Sequence, residues 1–257
     1  MTAPGRPVAL VTGSATGVGA ATALALARLG YDVVVNYSKS EAEAQASEAA
    51  CKDAGADTLL LRADVADDTD CRALADAVAQ RWGRLDVLVN NAGVSVFGAA
   101  AGWDALGPAD FHRILGVNTL GAFQMVRACL PLLKASQGNI VNVSSVAGAL
   151  GVGSSLPYIA SKGALNAMTL HWARTLAPEI RVNAVCPGFI TSRWFIDGIG
   201  QAGYDKALAG YEAAMPLPRA CTPEDVAEAI AWLAHGARTV TGELVLLDSG
   251  MHLGGRR

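Results

Sequence analysis

Long apolar runs, basic clusters, paired cysteines and grouped histidines are all missing from this chain, and each absence removes a class of function. No stretch of the 257 residues approaches the length of a bilayer span. The apolar run after Arg6 is broken within a few residues by Thr12-Gly13-Ser14, too soon for a secretory leader. The five cysteines (Cys51, Cys71, Cys129, Cys186, Cys221) are odd in number, widely spaced and form no Cys-x-x-Cys pair, which predicts reduced thiols in a soluble cytoplasmic protein. The four histidines (His112, His171, His235, His252) are scattered without a His-Glu-x-x-His or Cys/His grouping, so no metal is expected. A net charge of −3 with dispersed lysines and arginines leaves no electrostatic footprint for nucleic acid or an anionic membrane, and the terminal Arg256-Arg257 pair is too short to alter that. Internal repeats, low-complexity tracts and composition shifts are absent too, so one domain spanning 1–257 is expected, long enough to bury a sizeable core.

What remains is an alternation of short Val/Ile/Leu-rich runs with longer helical patterns, the signature of a doubly wound parallel sheet, here of about seven strands with helices on both faces. The first run, Val8 to Val11, leads into Thr12-Gly13-Ser14-Ala15-Thr16-Gly17-Val18-Gly19 and an Ala/Leu helix to about Leu29. A strand, a glycine-rich turn and a helix amino end make a phosphate cradle, because glycines admit the anion to the backbone and the helix supplies N–H groups and a positive dipole. The turn lacks the Gly-Lys-Ser/Thr ending of a nucleoside-triphosphate loop, and its Gly-x-x-x-Gly-x-Gly spacing departs from the commoner Gly-x-Gly-x-x-Gly.

The second strand is Asp32 to Tyr37. Counting from the glycines would choose Asp32 as the ribose-reading acid, but Asp32 opens the strand, whereas ligands sit beyond carboxyl ends. That end reads Asn36-Tyr37-Ser38-Lys39 and carries no carboxylate; a lysine with the hydroxyls of Ser14 and Ser38 tolerates a 2′-phosphate, which favours NADPH, with NADH as the alternative. Ser40-Glu41-Ala42-Glu43 has the form of a capping box for a helix to about Ala54. Further strands are expected at Thr58 to Leu61, ending at Asp64-Val65, and at Leu85 to Val89, ending at Asn90-Asn91-Ala92-Gly93. Pro108 to Ala135 reads as one long helix carrying Asn118 and kinked near Pro131. Arg181 to Cys186, stopped by Pro187-Gly188, and Leu244 to Leu247 complete the strands, with Thr222 capping a helix to about Ala234. Residues 189–215, weakly periodic and punctuated by glycines and aromatics, are a candidate substrate lid.

The chemistry is predicted between Ser145 and Lys162. Ile140 to Val143 reads as a buried strand, the following glycines and Pro157 as a loop, and Tyr158 onward as a helix to about Leu176. Tyr158 and Lys162 are then i and i+4 on one face. A phenol ionises near pH 10 and is a poor acid or base at neutrality. An ammonium at about 5 Å, with an effective dielectric of about 20, would favour the phenolate by roughly 3 kcal/mol, or about two pK units. Ser145 could hydrogen-bond the same substrate oxygen. Alone, a Tyr-x-x-x-Lys pair is a common amphipathic coincidence.

Four separated signals agree, however. Thr12-Gly13-x-x-x-Gly17-x-Gly19, Asn90-Asn91-Ala92-Gly93, Ser145 ahead of Tyr158-x-x-x-Lys162, and Pro187-Gly188-x-x-Thr191 occur in this order, and over nearly its full length the chain resembles the short-chain dehydrogenase/reductase family. The resemblance implies a Rossmann-type fold binding a nicotinamide dinucleotide, with a tetrad of Asn118, Ser145, Tyr158 and Lys162. It implies adenine contacts from Asp64 and Val65, ribose contacts from Asn91, Ala92 and Gly93, and nicotinamide anchors at Ile190 and Thr191. It also implies a homotetramer or homodimer and a ketoreductase of the 3-oxoacyl reductase kind acting on a small-molecule carbonyl or alcohol. Departures are Thr16, where NADPH-preferring members often carry a basic residue, and the Asp248 to Leu253 end, which replaces a more usual glycine pair. Val94, Val96, Leu150, Val152, Trp194 and Phe195 are expected to line an apolar pocket. Competing readings are an NAD-dependent secondary alcohol dehydrogenase and a coenzyme-binding regulator without catalysis; a methyltransferase would leave the serine, tyrosine and lysine spacing unexplained.

Overall fold

The computed structural model describes residues 5–97 and 106–254, and the Arg256-Arg257 pair lies outside them. Seven strands form one all-parallel sheet in the order β3-β2-β1-β4-β5-β6-β7: β1 (Val8–Val11), β2 (Asp32–Tyr37), β3 (Thr58–Arg62), β4 (Val87–Asn90), β5 (Asn139–Val143), β6 (Arg181–Pro187) and β7 (Leu244–Leu247). Helices α1 (Gly17–Arg28), α2 (Glu41–Asp53), α3 (Asp68–Trp82), α4 (Pro108–Leu115), α5 (Ala122–Ser136), α6 (Ala147–Leu150), α7 (Leu156–Thr175), α8 (Arg193–Ala214) and α9 (Pro223–Ala231) account for most of the rest. None of the described helices is both long and apolar enough to cross a membrane.

The strands are near-continuous runs of Val, Ile and Leu because both faces of the sheet are covered. Side chains alternate between two buried clusters. Ala9, Val11, Val33, Val35, Val87 and Val89 face one layer with Ala23, Leu26 and Ile230, whereas Val8, Leu10, Val34, Leu88, Ile140 and Val182 face the other with Leu74, Met125 and Leu133. The switch point lies at β1, which pairs with β2 on one side and β4 on the other, so a crevice opens beyond the carboxyl ends of β1 and β4. Asp32 sits at the opposite edge: it aligns with Val8, accepts a hydrogen bond from the Asp57 N–H at 2.9 Å and pairs with Arg6 at 3.3 Å.

The structure refines several local expectations. Ser40 stands at the N-cap of α2 but its side chain makes no capping bond, so the expected box is not formed; Thr222 and Asp225 do form one at α9. The long helix from Pro108 is not uniform, because a π-helical turn, Gly116–Gly121, separates α4 from α5. Pro131 lies inside α5, which runs on to Ser136. The glycine-rich stretch after Ser145 is not all loop, since α6 folds within it. Residues 189–215 are mostly helical: α8 covers them from Arg193 with a single break at Gly200 (φ 72°, ψ 164°).

Helices α6 and α7 cross at backbone contact. A Cβ added at Gly148 would stand 2.6 Å from the Lys162 carbonyl oxygen, a distance no side chain tolerates. Gly148→Ala should therefore prise the Lys162 turn of α7 away from α6 and destabilise the fold by about 1–3 kcal/mol. Urea unfolding checks this: the midpoint should fall with an unchanged m-value.

Candidate active site

At the carboxyl end of β1 the backbone must turn sharply, and Gly13 (φ 62°) and Gly17 (φ 55°) adopt left-handed conformations to do so. Polar staples hold the turn. The Thr12 hydroxyl accepts the N–H groups of Asn91 and Ala92, each at 3.0 Å, and Asn91 Nδ2 donates to the carbonyls of Thr12 (2.8 Å) and Gly13 (3.0 Å). Asn36 Oδ1 accepts the Gly13 N–H at 3.0 Å while its Nδ2 donates to the Ala63 carbonyl at 3.1 Å. Thr16 begins α1 without a side-chain cap, and the first turn contains no acidic residue, so the helix offers its leading N–H groups and positive end to the crevice.

This arrangement revises part of the expected coenzyme shell. Ser14 is fully buried, donating to the Val11 carbonyl (2.7 Å) and accepting the Asn36 N–H (2.9 Å), so its hydroxyl is not available to a 2′-phosphate. Asn36 reaches the crevice, but its amide is spent on the staples. Tyr37 packs into the core. Thr191 donates its N–H to the Cys221 carbonyl at 2.8 Å and is off the crevice wall. Ser38 and Lys39 are exposed at the carboxyl end of β2 and line the crevice, as do Gly13, Thr16, Gly17, Val18 and Gly19. Asp64, Val65, Asn91, Ala92, Gly93, Pro187, Gly188 and Ile190 line it too.

Beyond β5 the wall is polar. Lys162, only 4% exposed, donates from Nζ to the Val143 carbonyl at 2.8 Å, and that nitrogen lies 5.6 Å from the centre of the Tyr158 ring. Ser144 is committed to Asn166 Oδ1 at 2.6 Å. Ser145 accepts the Ala147 N–H at 3.1 Å and stands beside the Tyr158 hydroxyl. Asn118, in the π-helical turn, lies behind the wall: its Oδ1 accepts the Val94 N–H at 2.8 Å and its Nδ2 donates to Ser161 Oγ at 3.0 Å. Gly93 separates it from the lysine, with its Cβ position 3.5 Å from Asn118 Oδ1 and 3.7 Å from Lys162 Nζ.

Electrostatically the pair departs from expectation. Burial pushes the Tyr158 phenol up to about 12, with the Ser145 hydroxyl pulling the other way, and burial draws the Lys162 ammonium down to about 8. The phenol, half-buried on the crevice wall, thus lies above its ordinary value and not below it as expected, because the cost of desolvating its charged form exceeds the help of the Ser145 hydroxyl.

The crevice is one cavity of about 960 Å³ that runs from the glycine-rich turn to a wall contributed by α8. Val94, Val152, Trp194 and Phe195 line it; Val96 and Leu150 do not. Sequence reasoning missed Phe97, Phe189 and Tyr211 on this wall. The last two lie in the glycine- and aromatic-rich stretch that had marked a lid, whereas Phe97 gives no sequence signal.

A family profile described as enoyl-(acyl carrier protein) reductase matches residues 13–252. A Streptomyces violaceoruber protein named as ketoacyl reductase 2 of the granaticin polyketide synthase is 42% identical over 98% of each chain. The 3-oxoacyl-[acyl-carrier-protein] reductase FabG of Staphylococcus aureus is 35% identical, covering 95% of this chain and 98% of its own. A Burkholderia xenovorans crystal structure classed as a short-chain dehydrogenase/reductase superposes with a TM-score of 0.90 at 40% identity, covering 98% of this chain and all of the other. With its parallel seven-stranded sheet and its switch-point crevice, the chain belongs to the short-chain dehydrogenase/reductase family, the NAD(P)-dependent oxidoreductases acting on CH–OH and C=O groups.

Proposed function

We propose that the protein is an NADPH-dependent ketone reductase in which Tyr158 protonates the substrate oxygen. The observation that carries this reading is the convergence of the Tyr158 phenol, the Lys162 ammonium and the Ser145 hydroxyl on the wall of the crevice. The crevice fits a nicotinamide dinucleotide: its turn is glycine-lined, the first turn of α1 is uncapped, and no carboxylate stands at the carboxyl end of β2. Bound there, the reduced nicotinamide supplies the hydride.

The residues of the chain supply position and the proton. Ser145 and Tyr158 converge on the carbonyl oxygen, so the charge developing there meets two hydroxyl donors. Tyr158 gives up its phenolic proton as the oxygen becomes an alkoxide, and Lys162 stabilises the resulting phenolate. Asn118 holds the Val94 backbone and, through it, the wall beneath Gly93. Gly13, Thr16, Gly17, Val18 and Gly19 would take the pyrophosphate, Ser38 and Lys39 the 2′-phosphate, Asp64 and Val65 the adenine, Asn91 to Gly93 its ribose, and Pro187, Gly188 and Ile190 the nicotinamide. Residues 189–215 act as the substrate lid, with Gly200 as the break about which it moves. The chain works as one domain and assembles as a homotetramer or homodimer.

Tyr158→Phe should lower kcat for ketone reduction by at least about a hundredfold while NADPH affinity stays within a few-fold, as read by steady-state rates and coenzyme titration. Near-normal turnover would overturn the assignment.

Because the Lys162 ammonium is present below about pH 8 and lost above it, kcat/KM for reduction should hold level at lower pH and fall as pH rises past 8. A pH profile in which Lys162→Arg carries the plateau to higher pH would tie the fall to that side chain.

With a single ketone, kcat/KM should be higher with NADPH than with NADH, and Lys39→Asp should narrow or reverse the ratio. A wild-type preference for NADH would favour the NAD-dependent secondary alcohol dehydrogenase instead.

A further inference from the structure

The chain has few aromatic residues, five each of Phe, Trp and Tyr, and uses them unevenly. Tyr31, Tyr37 and Trp172 are buried in the core, but none of the five phenylalanines is. Seven aromatics instead meet at the cavity. Phe97 stands edge-on to Trp194 (centroids 4.9 Å apart) and to Phe195 (5.5 Å), while Phe189 stacks on Phe195 at 4.4 Å with an interplanar angle of 15°. Tyr204 and Tyr211 pack on Phe189 at 5.8 and 5.6 Å, and Trp194 lies 5.8 Å from the ring of Tyr158. All but Tyr204 line the cavity, and α8, which brings four of the seven, buries none of its residues fully.

A cluster that only stabilised the lid would close on itself and leave the solvent side polar. Here the Trp194 indole remains 37% exposed, and the aromatic wall runs without interruption to the candidate proton donor. The Phe97 ring lies directly on the α8 backbone, where a Cβ at Gly198 would come within 2.6 Å of it. Edge-to-face and stacked contacts favour other π-systems beyond what apolar area alone gives, whereas a saturated chain gains only from area.

We infer that the carbonyl substrate is a flat aromatic ketone whose ring system lies against Phe97 and Trp194, with its oxygen at Tyr158, in preference to an aliphatic acyl chain. This rests on the ketone-reductase reading and specifies its substrate class.

Matched pairs test it. β-Tetralone and its saturated counterpart β-decalone present the carbonyl on the same bicyclic skeleton, and β-naphthol and decahydro-β-naphthol serve as the corresponding pair for calorimetric binding to the NADPH-loaded protein. Wild type should reduce β-tetralone with kcat/KM about tenfold or more above β-decalone, and should bind β-naphthol more tightly than its saturated form. Phe97→Leu and Trp194→Leu, which keep apolar area but remove the ring, should each weaken β-naphthol binding about three- to tenfold, with a smaller effect on the saturated alcohol. Reduction of both ketones at similar kcat/KM, with β-naphthol binding unmoved in the variants, would overturn the aromatic specificity and leave the reductase standing. Ring-dependent β-naphthol binding without turnover of either ketone would keep the aromatic site and remove the reductase.

Discussion

A lysine withdrawn from water organises the site. With only 4% of Lys162 exposed, holding its charge costs roughly 3 kcal/mol by the shift from its ordinary value to about 8. That cost is borne below about pH 8 and disappears as pH rises to the ordinary lysine value. The Val143 carbonyl offsets part of it, which requires the end of β5 to lie against α7. The neighbouring elements are shaped around this contact: Gly148 lets α6 reach the lysine backbone, and Gly93 leaves room between the ammonium and Asn118. The candidate phenol, half-buried beside it, is withdrawn from water only in part. Burial raises it above its ordinary range, so it is a reservoir of one proton at neutral pH.

The glycine-rich turn follows the opposite strategy and is held by neutral groups. Thr12, Asn36 and Asn91 satisfy the backbone of the turn, leaving the amino end of α1 uncapped and pointed at the crevice. Side chains that might have met a ligand are therefore structural, and the backbone is what remains to receive an anion. A lysine that is neutralised easily and a helix end that stays positive thus occupy the two ends of one cavity.

Much of this was legible in the sequence, for reasons of periodicity. The Val-rich strands, the placing of Asp32 at the wrong end of β2, the Thr222 cap and the i, i+4 pairing of Tyr158 with Lys162 are local patterns, and local patterns survive folding. Properties set by distant partners were not legible. Ser14 looks like a free hydroxyl until Val11 and Asn36 close on it. Ser40 looks like half of a capping box, yet the backbone at its position (φ −89°, ψ 69°) leaves the box unmade. The phenol's acidity was misjudged because charge attraction can be counted from spacing, whereas desolvation depends on what packs around the pair. Phe97 was invisible because its meaning comes from Gly198, a hundred residues away in the chain.

The π-helical turn between α4 and α5 has its own geometric effect. One residue more than an α-helix needs rotates everything after it by about 100° around the axis. A single rod can thereby present one stripe to α7 before the turn and a different stripe to β4 and α3 after it, with Asn118 at the pivot. The change of packing partner along the rod thus coincides with a one-residue slip in phase.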